Sequence, residues 1–243
     1  MISVCMATYN GEKYITEQID SILCQLAYSD ELIISDDHST DKTVDIIKTY
    51  KDPRIRLIFN SGKKGCTHNF ENALRNAKGD FIFLADQDDV WYPNKISVMV
   101  SFLTKNSYDL AMCNCALVDE HLSIMKSPFF DKDCPMERSI LSNLYRCACL
   151  GCCIAFNQKA LKAFLPFPPK VVLHDLWIYL FAISNLKCGY YHDVLLAYRR
   201  HQNTVTFAGK KNTNSFFFKI KYRLYVIPHL IKRSIKYRIS LKA

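Results

Sequence analysis

FIFLADQDDVW, residues 81–91, runs from five apolar residues straight into a cluster of acids. Phe81 to Ala85 follows Gly79-Asp80 and has the length and composition of a buried strand. Strand side chains alternate with a period of two, so Asp86 and Asp88 point the same way while the extended geometry lasts. Two hard carboxylates at a strand end suit Mg²⁺ or Mn²⁺ and leave positions open for substrate phosphates. In a doubly wound sheet, ligands bind beyond the carboxyl ends of the strands.

Upstream, strand and helix signals alternate. Strands are expected at Ile2–Met6, Glu31–Ser35 and Arg54–Phe59, and helices at Gly11–Gln25, Thr40–Tyr50 and Thr67–Ala77. Ser39 is a candidate N-cap, and Gly79 stands in a C-cap position. Such repetition implies a mostly parallel, doubly wound α/β sheet. Downstream, Pro93 opens a helix and Leu110–Val118 is a further strand. Residues 120–135 read as a loop with turns at Ser127-Pro128 and Asp133-Cys134-Pro135. Helices are expected at Met136–Tyr145, Gln158–Phe164 and Asp175–Leu186, and strands at Cys152–Phe156 and Gly189–Tyr198.

The 243 residues, 49% hydrophobic and 23% charged, suffice for one sizeable core. MISVCMATYN lacks the basic stretch and apolar core of a signal peptide, and no apolar run reaches the ~18–20 residues that span a bilayer. Eleven cysteines in that setting imply free thiols in a reducing compartment. Cys147, Cys149, Cys152 and Cys153 cluster without the spacing of a structural zinc site, so buried apolar thiols are expected. The net charge of +9 is uneven. Residues 208–243 carry ten Lys/Arg and no acid, leaving 22 basic against 23 acidic groups in residues 1–207.

Four pieces stand in order: AxYN at 7–10, Asp36-Asp37, the acids at 86–88, and HDLW at 174–177. With VCMATYNGEKYI, LIISDDHSTDKT and FLADQDDVW as three successive blocks, residues 1–205 resemble the family 2 glycosyltransferases. ADQDDVW and HDLW look most like the rhamnosyl and hexosyl transferases of bacterial surface polysaccharides. The resemblance implies a GT-A type doubly wound mixed sheet with a Rossmann-like N-terminal half. It divides residues 1–207 into a donor half, 1–119, and an acceptor half, 120–207. It also implies transfer from a UDP- or dTDP-linked sugar to a saccharide hydroxyl, with Mn²⁺ or Mg²⁺ and inversion at the anomeric carbon.

The residue roles follow. By resemblance, Asp37 accepts a hydrogen bond from the donor base; a carboxylate, acceptor-only, selects the N–H edge of uracil or thymine. Ala7 and Tyr9 line the base pocket, where an aromatic face can stack. Asp88 binds the cation directly, and Asp86 contacts ribose or the metal through water. Asp175 is the general base, with Leu173, Leu176 and Trp177 drying its surroundings; its bland alternative is a helix cap. His201 resembles a position near the metal, and Arg199 and Arg200 suit a diphosphate. Lys63, Lys64 and Gly65 precede a helix N-terminus, also suited to phosphate. His174 and His68 receive no role, and Asp36 and Asp89 read equally as strand-end and turn residues.

The last segment interleaves aromatic and branched apolar residues with cations, a pattern that suits an anionic membrane surface, with Pro228 breaking it into two short helices. Residues 208–243 are thus expected to be a detachable membrane-associating tail. They would hold the enzyme at the inner face of the plasma membrane, near a polyprenyl-linked acceptor, with no nucleic acid as partner. Two rivals stand beside this reading. Asp86-x-Asp88-x-Val90 also fits an aspartyl phosphatase of the haloacid-dehalogenase type, and the basic segment also fits a non-catalytic binding module.

Overall fold

β1 (Ile2–Thr8) lies between two parallel neighbours, β2 (Glu31–Asp36) and β4 (Phe81–Asp86). Strands buried on both faces read as continuous apolar runs, and VCM in β1, LII in β2 and IFLA in β4 are all fully buried. The computed structural model describes residues 1–130, 140–145, 149–201 and 216–241. Over these residues the sheet runs β3-β2-β1-β4-β8-β6-β9-β5, with β3 at Ile55–Phe59, β5 at Val90–Trp91, β6 at Leu110–Val118, β8 at Ile154–Asn157 and β9 at Cys188–Arg199. β7 (Ile124–Lys126) pairs with β6 inside the expected loop.

The first four strands are parallel, and β8 joins β4 and β6 antiparallel, so the sheet is mixed as expected. From β1 the chain steps outward to β2 and β3, then returns to the other side of β1 as β4. That reversal is the topological switch point, where such sheets bind ligands. Register brings the strand ends level there: Ala7 lies opposite Ser35 and Asp86, and Thr8 opposite Asp36.

The helices are α1 (Ile15–Leu23), α2 (Thr43–Thr49), α3 (Cys66–Arg75), α4 (Lys95–Asn106), α5 (Ile140–Tyr145), α6 (Gln158–Phe164), α7 (His174–Asn185) and α8 (Phe216–Ser240). Ser39 is not the cap of α2; its hydroxyl and N–H both donate to Asp36, and the chain enters the helix through Lys42. Gly79 is not a helix cap either, because α3 ends at Arg75. It is required by close approach: a Cβ would stand 2.5 Å from the Ser3 nitrogen and 2.8 Å from the Ile2 carbonyl carbon. The Asp133–Pro135 turn, the start of the helix expected from Met136, Cys147 and the boundary at 207/208 lie outside the described residues.

α7 is buried almost all round, as its composition requires, and contacts α3, α5, α6 and α8. The expected break at Pro228 does not occur. α8 continues through it, because packing of one face offsets the lost hydrogen bond. Val226 and Leu230 are buried, Tyr222 and Tyr225 accept hydrogen bonds from the Leu173 and Lys170 N–H groups, and Arg233 donates to the carbonyls of Leu165 and Pro166. Over residues 216–241, then, the expected tail is a docked helix, and deleting it uncovers core. Leu230→Ala should cost about 2 kcal/mol, the low end for a buried leucine beside solvent, measured as a lower urea midpoint at unchanged slope.

Candidate active site

β1 ends in a loop held from two sides. Gln87 accepts from the Tyr9 N–H at 2.9 Å through its Oε1 and donates to the Tyr9 carbonyl at 3.0 Å through its Nε2. Asn10 takes a left-handed conformation, φ 49°, and its N–H donates to Ser39. The clamped peptide presents the Tyr9 ring to solvent, 52% exposed, beside half-buried Ala7. Gln87 is missed by sequence reasoning, although the period-two alternation that pairs Asp86 with Asp88 throws it to the opposite side.

Asp36 and Asp37, adjacent in sequence, divide their work. Asp36 is fully buried and accepts from Thr8 Oγ1 at 2.8 Å, Ser39 N at 2.7 Å and Ser39 Oγ at 2.6 Å, so it ties the strand ends together. Asp37 accepts from Asn60 Nδ2 at 2.7 Å and from the Gly65 N–H at 2.8 Å. Gly65 has φ 121°, which a β-carbon disfavours, and in that conformation it turns its N–H onto Asp37 and starts α3. Lys63 and Lys64 are exposed beside it, and His68 is half-buried one turn into α3.

The turn after β4 gathers the acids. Burial first, then the charges of Asp88 and Asp175, push the Asp86 carboxyl up to about 7, with Lys95 opposing. The carboxyls of Asp86, Asp88 and Asp175 therefore share one field, although 175 lies far along the chain. Asp88 Oδ2 stands 2.8 Å from His201 Nε2, and the His201 ring lies 4.6 Å from that of Tyr14. Asp89 is fully buried beneath this pair. It accepts from the Arg199 N–H at 3.0 Å, and burial with the charges of Asp88 and Asp86 holds its carboxyl well above the usual range. Asp86, Asp89 and Cys152 form a group tight enough for a cation. Its counter-charge is already present in the fully buried Lys95, whose Nζ donates to the Cys152 carbonyl at 2.6 Å and sits 3.8 Å from the centre of the Trp91 ring.

Arg199 departs from expectation. It is buried, and its guanidinium donates to the Asp88 carbonyl at 2.8 Å, to the Glu120 carbonyl at 2.9 Å and to the Glu17 carboxylate, while lying 4.7 Å from the Tyr14 ring centre. These partners are drawn from α1, the β4–β5 turn and the loop after β6, so the guanidinium is engaged by the protein itself. The residue holds the turn after β4 in place. Arg200 hydrogen-bonds the Val118 carbonyl through its N–H, which extends β9 alongside β6.

Asp175 is the second residue of α7. Leu173 holds the N-cap position without a side-chain hydrogen bond, and Asp175 Oδ1 accepts from the Leu176 N–H at 2.7 Å, so Asp175 satisfies a first-turn donor from inside the helix rather than from the cap position. The drying shell takes a different form from that expected. Leu173 is exposed, while Leu176 and Trp177 are turned into the core, Trp177 donating to the Phe164 carbonyl. His174 is buried against Phe70, ring centres 4.2 Å apart, and burial holds its imidazole below the usual range, hence neutral. Cys66, at the start of α3, borders the same cleft; desolvation, followed by the charges of Asp86, Asp175, Asp88 and Asp37, raises its thiol above the ordinary value. Cys149, Cys152 and Cys153 are buried free thiols, as expected of apolar packing.

The profile described as "Glycosyl transferase family 2" matches residues 3–165. The chain belongs to that family. It is 28% identical over 211 residues to the UDP-Glc:α-D-GlcNAc-diphosphoundecaprenol β-1,3-glucosyltransferase WfgD of Escherichia coli, covering 85% of this chain and 79% of that one. It is 30% identical over 234 residues to the dTDP-rhamnosyl transferase RfbG of Shigella flexneri, covering 90% and 77%. Among solved structures, it superposes on S. aureus TarS 1–349 in complex with UDP-GlcNAc with a TM-score of 0.71 at 19% identity, covering 97% of this chain and 71% of that one. The mannosyltransferase of Pyrobaculum calidifontis in complex with GDP-Man and Mn²⁺ gives a TM-score of 0.61 at 20% identity, covering 83% and 57%. The GT-A fold expected from the sequence is therefore the fold observed. Family membership also sets aside the haloacid-dehalogenase and non-catalytic readings.

A carboxyl raised in the fold binds its proton more tightly than in the unfolded chain. The stability contributed by Asp86 is thus present at low pH and declines as pH rises from the ordinary value, about 4, through about 7. In EDTA, the wild type should lose thermal stability relative to Asp86→Asn as the pH rises from about 5 to about 7.5. Parallel melting profiles for the two proteins would show that Asp86 is ionised throughout.

Proposed function

We propose that this glycosyltransferase moves a sugar from a UDP- or dTDP-linked donor to a hydroxyl of a saccharide acceptor, with inversion and with a divalent cation. The observation that carries the reading is the convergence of Asp86, Asp88 and Asp175 at the switch point of the sheet, with His201 on Asp88. Relatives named for UDP-glucose and dTDP-rhamnose supply the donor class.

In this reading the donor base meets the Tyr9 ring beside Ala7, and its N–H edge is read by Asp37, whose carboxylate keeps acceptor capacity beyond its two bonds. Asp86 contacts the ribose or the metal shell. Asp88 and His201 are the protein ligands of the cation. A set that mixes carboxylate oxygen with imidazole nitrogen fits Mn²⁺ better than Mg²⁺, which prefers oxygen throughout. When bound, the cation offsets negative charge on the departing nucleoside diphosphate. Arg199 keeps Asp88 and the His201 end of β9 together from below.

Asp175 takes the proton of the acceptor hydroxyl as that oxygen forms its bond to the anomeric carbon and the bond to the diphosphate breaks. Among the described residues no second nucleophile is placed beside Asp175, which supports direct displacement and hence inversion.

The relative named for a GlcNAc-diphosphoundecaprenol acceptor supports a polyprenyl-linked acceptor and work at the inner membrane face. Among the described residues no helix is long and apolar enough to cross a membrane, so the association would be peripheral.

Asp175→Asn should leave nucleoside diphosphate affinity unchanged by calorimetry and lower transfer by roughly 10²–10⁴, the usual loss when a general base is removed. Asn keeps the oxygen that accepts from Leu176 N–H, so the fold is preserved. Wild-type turnover in that variant would remove Asp175 from the chemistry. Asp88→Asn should abolish Mn²⁺ binding measured by titration, because the amide keeps the shape without the charge. Undiminished Mn²⁺ affinity would overturn the metal assignment.

A further inference from the structure

α8 has two faces. Inward, Val226 and Leu230 are buried, Ser234 accepts from Asn185 Nδ2, and Tyr237 packs against Phe181. Outward, Leu224, Pro228, Ile231, Ile235 and Ile239 recur at spacings of four, three, four and four, one continuous helical stripe, and its Leu and Ile members are 54–67% exposed. Lys221, Lys232 and Lys236 are exposed along its edge. The helix holds seven Lys/Arg (219, 221, 223, 232, 233, 236 and 238) and no Asp or Glu. An apolar row of this length on a docked helix has a cost in water that the fold does not offset, since the inward face alone holds the helix in place.

We propose that the outward stripe of α8 seats the protein on an anionic lipid surface and, through two tyrosines, delivers the loop before Asp175 to that surface. A leaflet answers both halves of the pattern. Acyl chains take up Leu224, Ile231, Ile235 and Ile239, and anionic headgroups face Lys221, Lys232 and Lys236. A second copy of the chain fits worse, because pairing α8 with itself sets lysine rows together with no acid on the helix to meet them. Nucleic acid leaves the central isoleucines without a partner.

The geometry ties this surface to the cleft. Tyr222 and Tyr225 of α8 hold the N–H groups of Leu173 and Lys170 at 3.2 and 3.0 Å, and Val172 and Leu173 are themselves exposed apolar residues. His174 and Asp175 follow directly. The seated helix therefore sets the depth at which Asp175 meets an acceptor anchored in the same leaflet. That last step rests on the transferase reading; the seating itself does not.

The test is sedimentation of the full chain with vesicles of phosphatidylcholine alone or mixed with phosphatidylglycerol. The wild type should sediment with the mixed vesicles. Substitution of Lys221, Lys232 and Lys236 by Gln should weaken this about fivefold per lysine and flatten its salt dependence. Ile231→Ser/Ile235→Ser/Ile239→Ser should weaken it on the order of tenfold or more, chiefly the part that survives high salt. The serine variant should keep the wild-type melting temperature and calorimetric UDP affinity, which separates lost seating from lost folding. UDP affinity and transfer to a short soluble acceptor report on the transferase reading alone, so the two readings fail separately. Equal sedimentation of serine variant and wild type overturns the proposal. So does a wild type that ignores anionic vesicles, that prefers single-stranded nucleic acid to them, or that forms a dimer which the serine substitutions dissociate while vesicle binding persists.

Discussion

The level register of β1 with its two parallel neighbours is the constraint on which the molecule depends. Ala7, Ser35 and Asp86 share one row, so three strands stop together and their following loops open in one place. A slip of one residue would carry Asp86 to the opposite face of the sheet and leave the strand ends uneven. The register is fixed by the apolar runs that must be buried on both faces. It is also fixed by Gly79, where only a hydrogen in place of a side chain lets the turn before β4 lie against the start of β1.

That arrangement concentrates acids, and each is accommodated differently. Asp36 is saturated by hydroxyl and amide donors. Asp37 leans on the start of α3. Asp86 and Asp89 favour their protons, with Lys95 behind them. Asp88 has a histidine. Carboxyls must give up their protons to ligate a cation, so whatever affinity this turn has for one falls as the pH drops.

Local chemistry was legible in the sequence, and long-range chemistry was not. The acidic turn was readable because strand geometry alone decides where residues two apart point. The alternation of strands and helices was equally readable, down to the buried run of β4. Arg199 was misplaced because its partners, Glu17, Asp88 and Glu120, lie 182, 111 and 79 residues away, and nothing local distinguishes a structural guanidinium from one aimed at phosphate. Asp36 and Asp37 were inseparable for a different reason: adjacent residues leave a strand end on opposite sides, and only the tertiary neighbours say which side is open. β5 has two residues, too few for any pattern. Pro228 carried a true local signal that the packing of Val226 and Leu230 overrode.

The Gln87 clamp acts as a ruler. Its side chain grips both the N–H and the carbonyl of Tyr9, and its own backbone lies between Asp86 and Asp88. The aromatic ring at one end and the carboxylate–imidazole pair at the other are thereby separated by a span that neither loop can alter alone. A molecule that reached from one to the other would therefore meet two ends whose spacing the protein sets and the molecule does not.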